Sequence, residues 1–286
     1  MTSWTCFLYH ELVRESLRRS ELGHSIDFLL FEKQLNLMKE NYDVVAPAEA
    51  IDAILKGRKG RFATIWFDDA YKSVLDIGLP ILRRHKITAV VSVCSSFYRN
   101  TDVFWRKKLA VLLMYGHGPR LSKYFVDSGV LSRCTNRTLM RESLNEFSVG
   151  LIQALNQYVC ENGLGWLVEP VFEEFCDKSD ILSLIEHEWV VANHSANHFP
   201  ITEPSAFDLI TTEFANNEMD IISDFGLETD FYVAPFCREG MIDVRVSSFA
   251  DELHKREKYL VLVNELDNSR QNLKDGIIFR KTARAI

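Results

Sequence analysis

Residues 62–71 read Phe62-Ala63-Thr64-Ile65-Trp66-Phe67-Asp68-Asp69-Ala70-Tyr71. A short apolar run of this kind is typical of a buried strand, and two adjacent carboxylates mark its end. In parallel α/β folds, functional groups gather at the carboxyl ends of strands. Because neighbouring residues of an extended segment point in opposite directions, one carboxylate could bind a metal while the other faces a bound water. A helix N-cap followed by an exposed turn is the structural alternative.

The same type of strand recurs along the chain and alternates with amphipathic stretches. One such stretch, Phe28–Asn41, places Phe31, Leu35 and Met38 at helical spacing. Strand followed by helix is the pattern of a parallel sheet with crossover helices. The predicted strands are Thr5–Tyr9, Asp43–Ala46, Phe62–Phe67, Thr88–Val93, Trp189–Ala192, Phe231–Ala234, Tyr259–Val263 and Ile277–Arg280.

The alternation is interrupted between about residues 97 and 188, where the signals are mostly helical. Helices are predicted there at Trp105–Tyr115, Leu139–Glu161 and Pro170–His187, separated by glycine-containing segments. Strands resume after the segment. The sequence therefore predicts one α/β domain over residues 1–286, with a helical insertion at about 97–188.

A second polar motif, Asn193-His194-Ser195-Ala196-Asn197-His198, also follows a predicted strand. Histidines four residues apart can meet on one side of a helical turn, a spacing suited to one metal ion. Surface or core histidines are the structural alternative. Together with Asp68 and Asp69, the motif offers a site of two histidines and one carboxylate, with a spare carboxylate. That combination indicates metal-assisted hydrolysis.

Two further strand ends carry weaker signals. Phe231–Cys237 runs into a turn at Pro235, and such a turn can present a backbone N–H to a site. His10 ends the first predicted strand in Leu8-Tyr9-His10-Glu11. Taken alone, each stretch also suits a purely structural role.

In order and spacing, these motifs resemble the polysaccharide deacetylases of carbohydrate esterase family 4. Phe67-Asp68-Asp69-Ala70-Tyr71 resembles the family's Thr-Phe-Asp-Asp-Gly motif, and His194–His198 its His-Ser/Thr-x-x-His motif. Pro235-Phe236-Cys237 stands where the family has Pro-Tyr-Gly. The resemblance covers roughly residues 5–96 and 189–281 and omits the insertion. It implies a distorted (β/α) barrel with fewer complete strands than the standard eightfold barrel.

The resemblance also implies roles for the matching residues. Asp69, His194 and His198 would bind a divalent metal, commonly zinc. Asp68 would be the general base on the metal-bound water, and the backbone N–H of Phe236 would help to hold the oxyanion. Tyr71, Pro235 and, from the insertion, Trp105 are expected to contact the substrate.

The general acid is expected to be His10. Many family members take this histidine from a C-terminal Leu-x-His-Asp motif, which is absent here. Some members resemble a circular permutation, with that motif on the first strand, and Leu8-Tyr9-His10-Glu11 fits this arrangement. The third motif also lacks the arginine that often positions the base, unless Arg238 reaches back. Ala70 and Cys237 replace glycines of the family pattern, so both loops are expected to differ in path from the family's.

The insertion carries a cationic and aromatic segment, Phe104-Trp105-Arg106-Lys107-Lys108. Aromatic rings stack on sugars and cations pair with phosphates, so the segment could be a lid over a sugar nucleotide, lipid-linked sugar or other phosphorylated glycan precursor. The alternative is an amphipathic helix with its aromatics inward and a solvated basic face.

Composition restricts the partners and the compartment. The 286 residues are 47% hydrophobic and carry a net charge of −7, which argues against a nucleic-acid partner. No apolar run is long enough to cross a bilayer, so no stable membrane insertion is expected. The six cysteines are scattered and the N-terminal residues lack the pattern of a secretory signal, so free thiols and a cytoplasmic location are expected.

The sequence thus predicts a metal-dependent hydrolase that removes N-acetyl groups from a sugar, sugar nucleotide or glycan precursor in cell-surface polysaccharide biosynthesis. Two alternatives stay open. One is a hydrolase of another amide, formyl or cyclic, on the same architecture. The other is a non-catalytic sugar-binding protein that retains the metal residues.

Overall fold

The computed structural model describes residues 2–14, 24–200, 207–238 and 244–283. Each of the eight predicted strands is present. The strands are β1 (Thr2–Tyr9), β2 (Glu11–Val13), β3 (Ser25–Asp27), β4 (Asp43–Val44), β5 (Gly60–Phe67), β6 (Val90–Val93), β7 (Val190–Asn193), β8 (Phe231–Arg238), β9 (Tyr259–Val263) and β10 (Ile277–Thr282). The helices are α1 (Phe28–Asn41), α2 (Pro47–Lys56), α3 (Leu79–His85), α4 (Ser95–Tyr98), α5 (Trp105–Met114), α6 (Gly118–Asp127), α7 (Leu139–Asn145), α8 (Val149–Glu161), α9 (Gly165–Phe172), α10 (Lys178–Glu186), α11 (Phe207–Phe225), α12 (Val244–His254) and α13 (Arg270–Lys274), and a π-helical turn at Val74–Gly78 precedes α3.

Seven parallel strands close into a barrel in the order β1-β10-β9-β8-β7-β6-β5. The closure is made by β1 and β5, which pair in parallel from Thr2 opposite Gly60 to Tyr9 opposite Phe67. β4 pairs with Phe62 and Ala63 near the start of β5, and β6 pairs with Trp66 and Phe67 near its end. β2 and β3 form a separate two-stranded sheet. This confirms the predicted (β/α) barrel with fewer strands than the eightfold form.

The parallel arrangement places all the carboxyl ends of the barrel strands at one rim. β1 ends before His10, β5 before Asp68 and β7 before His194. Motifs that are far apart in the chain therefore meet, as expected for active sites of parallel barrels.

The insertion comprises α4 to α10, between β6 and β7. The predictions of single helices at Leu139–Glu161 and Pro170–His187 were wrong, because each stretch contains a capping residue. Ser148 accepts a hydrogen bond from the Leu151 N–H and starts α8, and Asp177 forms a capping box that starts α10. Such side chains favour a helix start over continuation.

Among the described residues, the insertion shares one of three hydrophobic clusters with strands of the barrel. Within it, the rings of Phe97 and Phe175 lie 4.8 Å apart between centroids. Phe104, at the start of α5, lies 4.4 Å from the ring of His198. The insertion is therefore packed directly against the rim where the polar motifs meet.

Two expectations from composition can be compared with the described residues. None of the helices described has both the length and the apolar character that a membrane span requires. Among the cysteines with described side chains, all are free thiols: Cys6, Cys94, Cys134, Cys160 and Cys176.

Candidate active site

Asp69, His194 and His198 converge at the carboxyl end of the barrel. One potential ligand atom from each lies within 4.8 Å of the other two. Asp69 Oδ1 is 3.4 Å from His194 Nε2 and 3.0 Å from His198 Nε2. All three side chains are buried. The structure thus brings together the three residues expected to bind a metal.

The chemistry of these atoms fits a divalent cation. His194 Nδ1 lies 2.8 Å from the carbonyl oxygen of Val233, which can only accept, so Nδ1 carries the hydrogen. The lone pair of His194 Nε2 therefore faces Asp69, the arrangement that metal-binding histidines use. Asp69 Oδ1 is buried and has no hydrogen-bond partner within the described ranges. A carboxylate and two imidazoles leave further coordination positions open to water or substrate.

The two histidines meet in a loop, and the expectation of a helical turn was wrong. Residues 194–198 have no helical hydrogen bonding, and Ser195 and His198 have positive φ angles of 63° and 55°. The imidazole rings lie 4.6 Å apart and nearly perpendicular, at 84°. Left-handed backbone conformations, which residues other than glycine rarely adopt, bring the two imidazoles together.

Side chains around the loop hold this conformation. Asn193 Oδ1 accepts hydrogen bonds from the Ser195 N–H, at 3.1 Å, and from Asn217 Nδ2, at 2.8 Å. The Glu213 carboxylate accepts from the Asn197 N–H at 2.8 Å. Asn217 and Glu213 both belong to α11, so this helix supports the loop that carries the histidines.

The loop of the first motif is also strained. Asp69 and Ala70 have φ angles of 67° and 50°, so Ala70 takes the left-handed conformation that glycine adopts more easily. The carbonyl of Ala70 accepts from the Cys176 N–H at 2.8 Å, and the Lys72 N–H donates to the Glu174 carbonyl at 2.7 Å. The end of the insertion therefore holds the path of this loop.

The Asp68 carboxylate is held by other side chains than those that lie beside Asp69. Its Oδ1 accepts hydrogen bonds from Ser92 Oγ, at 2.7 Å, and from Arg280 Nη1. Its Oδ2 lies 3.9 Å from His194 Nε2. Burial alone would raise the pKa of Asp68, but the charges of Arg280 and His194 lower it to about 2. Asp68 is therefore an ionised carboxylate beside Asp69, His194 and His198, and it is able to accept a proton.

Arg280 and Ser92 were missed by the sequence prediction. The arginine partner was sought in the third motif, at Arg238, whose side chain lies outside the described residues. Instead, Arg280 reaches Asp68 from the closing strand β10, and it is almost completely buried. The available signal was an arginine directly after the apolar residues Ile277, Ile278 and Phe279 of this strand, because arginine is almost never fully buried without a partner.

His10 lines the same cavity as the metal residues. Its ring stacks on that of His24, with centroids 4.8 Å apart and planes at 22°. Burial lowers the pKa of His10, while the charges of Asp68 and Asp69 oppose this effect. Once protonated, such an imidazole gives up its proton readily.

The cavity has a volume of about 420 Å³ and opens to solvent at the barrel rim. The insertion contributes Phe104 and Arg106, and the loop after β9 contributes Asn264 and Glu265. Its lining is Leu8, His10, His24, Asp68, Asp69, Phe104, Arg106, His194, His198, Ala234, Phe236, Val263, Asn264, Glu265, Arg280 and Thr282.

Phe236 is a wall of this cavity. Its φ of 57° is left-handed, and it lies in the part of β8 where the pairing with β9 is irregular, between Val233 and Arg238. Its ring lies 4.9 Å from that of His198. Tyr71, Trp105 and Pro235, expected to contact substrate, are not among the lining residues. The ring of Tyr71 is buried 4.9 Å from that of Phe175, and that of Trp105 lies 5.5 Å from that of Phe147.

Arg106, Lys107 and Lys108 agree only in part with the two predictions made for them, a lid over the substrate and a solvated basic helix face. Lys107 and Lys108 are buried rather than solvated, and pair at 2.6 Å with Glu174 and Asp102 respectively. Buried ammonium groups require such partners. Of the three cations in the segment, only Arg106 lines the cavity.

Metal binding can be measured directly. We expect the purified chain to bind one Zn²⁺, and Asp69→Asn to weaken its affinity by more than the roughly 10–100-fold typical of losing an outer-shell partner. Isothermal titration on chelator-treated protein measures both affinities. His187→Gln, on a histidine whose Nδ1 lies 2.8 Å from the Ser183 carbonyl oxygen, is the control and should bind normally. Equal affinity of Asp69→Asn and the original chain would contradict the site.

Fold and site together define a class: a closed seven-stranded parallel barrel with a buried Asp-His-His group at its carboxyl end, which is the polysaccharide deacetylase fold. The chain is similar to a solved structure of IcaB from Ammonifex degensii, with a TM-score of 0.58 and 16% identity over 98% of this chain and 91% of that one.

Two further solved structures support the same fold. Streptococcus pyogenes deacetylase PplD, in complex with acetate, matches with a TM-score of 0.60 and 16% identity, over 98% of this chain and 92% of that one. A de-N-acetylase from Aggregatibacter actinomycetemcomitans matches with a TM-score of 0.59 and 13% identity, over 99% and 96%. No protein-family model and no curated protein matches the sequence.

Proposed function

We propose that this protein is a metal-dependent deacetylase that removes N-acetyl groups from a carbohydrate. The observation that carries the proposal is the buried group of Asp69, His194 and His198 beside a separate ionised carboxylate, Asp68, in one open cavity. The fold adds support, because the matched structures include a deacetylase and a de-N-acetylase. The proposed substrate is an N-acetylated sugar, sugar nucleotide or glycan precursor of cell-surface polysaccharide.

The proposed chemistry divides the steps among the residues of the cavity. A divalent ion, with zinc as the proposed metal, would acidify water and polarise the amide carbonyl when bound. Asp68, kept ionised by Arg280, accepts the proton that the attacking water loses. The backbone N–H of Phe236 donates a hydrogen bond to the carbonyl oxygen as it becomes negative. His10 protonates the departing amine, a role that suits its lowered pKa.

Acetate release is the direct test. A panel of N-acetylated sugars, sugar nucleotides and oligosaccharides is incubated with the protein, and acetate and metal content are measured on the same sample. We expect release that stops after chelation and returns with Zn²⁺. Formate release from N-formyl analogues, with none from the N-acetyl compounds, would assign a different amide. No release of any acyl group by the metal-loaded protein would contradict an enzymatic function.

A further inference from the structure

Two histidine rings lie side by side in the lining of the active-site cavity. The ring of His24 stacks on that of His10, with centroids 4.8 Å apart and planes at 22°. Both residues line the cavity that contains Asp69, His194 and His198. His10 is the proposed general acid, whereas the proposed chemistry leaves His24 without a role.

The pairing of two strands brings these rings together. His10 is the residue before β2, and His24 is the residue before β3. β2 and β3 pair in parallel with Glu11 opposite Ser25, so the same register, continued one residue back, sets His10 beside His24. Neighbouring strands lie roughly 4.7–4.9 Å apart, and the 4.8 Å between the two ring centroids matches that spacing. The stack therefore follows from the backbone pairing.

Both strands of this small sheet are anchored to the rest of the molecule. In β2, Leu12 is buried and its N–H donates a hydrogen bond to Ser73 Oγ at 3.0 Å. In β3, Asp27 accepts a hydrogen bond from the Leu29 N–H at 2.9 Å and so caps the start of α1. These contacts hold the sheet, and with it His24, in a defined place beside the cavity.

A contact between ring faces fixes the plane of an imidazole without blocking its chemistry. Packing of one flat ring against another resists rotation of either ring about its Cβ–Cγ bond. The two nitrogens of His10 lie at the edge of its ring, so a stack on the face does not cover them. Because proton transfer depends on distance and angle, an acid whose ring plane is fixed transfers its proton more effectively.

We propose that His24 is a positioning residue for the general acid: by stacking on His10, it holds the imidazole in the plane from which its N–H reaches the departing amine. When the amide C–N bond breaks, its electron pair goes to the nitrogen, which takes up the proton from His10. The inference rests on the proposed function, in which His10 is the acid, and it gives the two-stranded sheet a purpose.

The first test removes the ring and then restores a flat one. The substrate is the N-acetylated sugar of the acetate-release panel with the highest kcat/KM. We expect His24→Ala to lower kcat about 10–100-fold with little change in KM, because a misplacement of about 1 Å can cost roughly 100-fold. His24→Phe, which keeps a flat ring, should recover most of this loss. His187→Ala removes a histidine whose Nδ1 lies 2.8 Å from the Ser183 carbonyl oxygen, and this control should change neither constant.

A second substrate separates the positioning of the acid from general damage to the site. The aryl ester 4-nitrophenyl acetate releases 4-nitrophenolate, which leaves as an anion and needs no proton from His10. His24→Ala should therefore lose activity on the amide but not on the ester. It should also cause no further loss on the amide when His10 is already alanine, because residues that act through one another are not additive.

Three results would overturn the inference: equal losses on amide and ester, additive losses in the double variant, or equal amide rates for His24→Ala and His24→Phe. If no sugar of the panel releases acetate, the proposed function fails instead. The NMR order parameter of the ¹³C-labelled His10 ring, measured on zinc-loaded protein, then decides. A lower value in His24→Ala than in the original chain supports the positioning of His10 by His24, and an equal value overturns it.

Discussion

Replacing Asp68 with asparagine should lower kcat for acetate release by about 10²–10⁴-fold, the range that a general base contributes. Asparagine has the size of aspartate and can still accept hydrogen bonds from Ser92 and Arg280, but it cannot take up the proton of the attacking water. Because Asp68 is not one of the three proposed metal ligands, the variant should retain its metal. Initial rates of acetate release and the metal content of the same samples measure both expectations.

Asp52→Asn is the matched control. Asp52 is an exposed carboxylate of α2 that pairs with Lys56, so its loss should leave kcat and metal content unchanged. Asp68→Asn also leaves Arg280 buried without a carboxylate, so circular dichroism and a melting curve must show that the variant is folded. A folded, metal-containing Asp68→Asn protein with normal turnover would exclude Asp68 as the base.

Removing the charge of Arg280 should have the next largest effect. Arg280→Gln should lower activity about 10–100-fold, by analogy with other partners that orient residues of a metal site. It should also shift the acidic side of the pH–rate profile. The base works only when ionised, so activity falls as pH falls through its pKa. Burial raises the pKa of Asp68, and the charges of Arg280 and His194 together lower it to about 2. The loss of Arg280 should therefore raise that pKa, and activity should be lost at a higher pH.

Arg280→Lys is the conservative comparison, since it keeps a positive charge near Asp68 and should move the acidic limb less. The glutamine variant leaves a buried carboxylate unpaired, which costs about 3–5 kcal/mol of stability when a buried pair is broken. A merely structural role would lower the stability and the amount of active protein but would not shift the pH profile. An unshifted acidic limb in folded Arg280→Gln would therefore show that Arg280 does not control the base.

Much of the site was predictable from the chain because its main residues lie directly after strands. The apolar run of β5 favours a strand, so Asp68 and Asp69 were expected at its end. His10 and His194 follow β1 and β7 in the same way. Parallel strands put their carboxyl ends on one rim, so these residues could be grouped before any coordinates were known.

Other parts of the site depend on packing that local sequence does not encode. His194 and His198 meet through left-handed loop residues supported by α11, and spacing alone had indicated a helical turn. The two split helices of the insertion likewise depend on Ser148 and Asp177, whose capping role competes with continued helix.

Local sequence was enough to predict the alternation of strands and helices, the place of the insertion and the two motifs that contain Asp69, His194 and His198. These features follow from hydrophobic periodicity and from polar residues at strand ends, which are local. Long-range packing explains why Arg280 pairs with Asp68, and why Lys107 and Lys108 are buried while Arg106 lines the cavity. Those contacts depend on the closure of the barrel and on the pairing of charged side chains as they become buried. Both processes bring together residues that are distant in the chain.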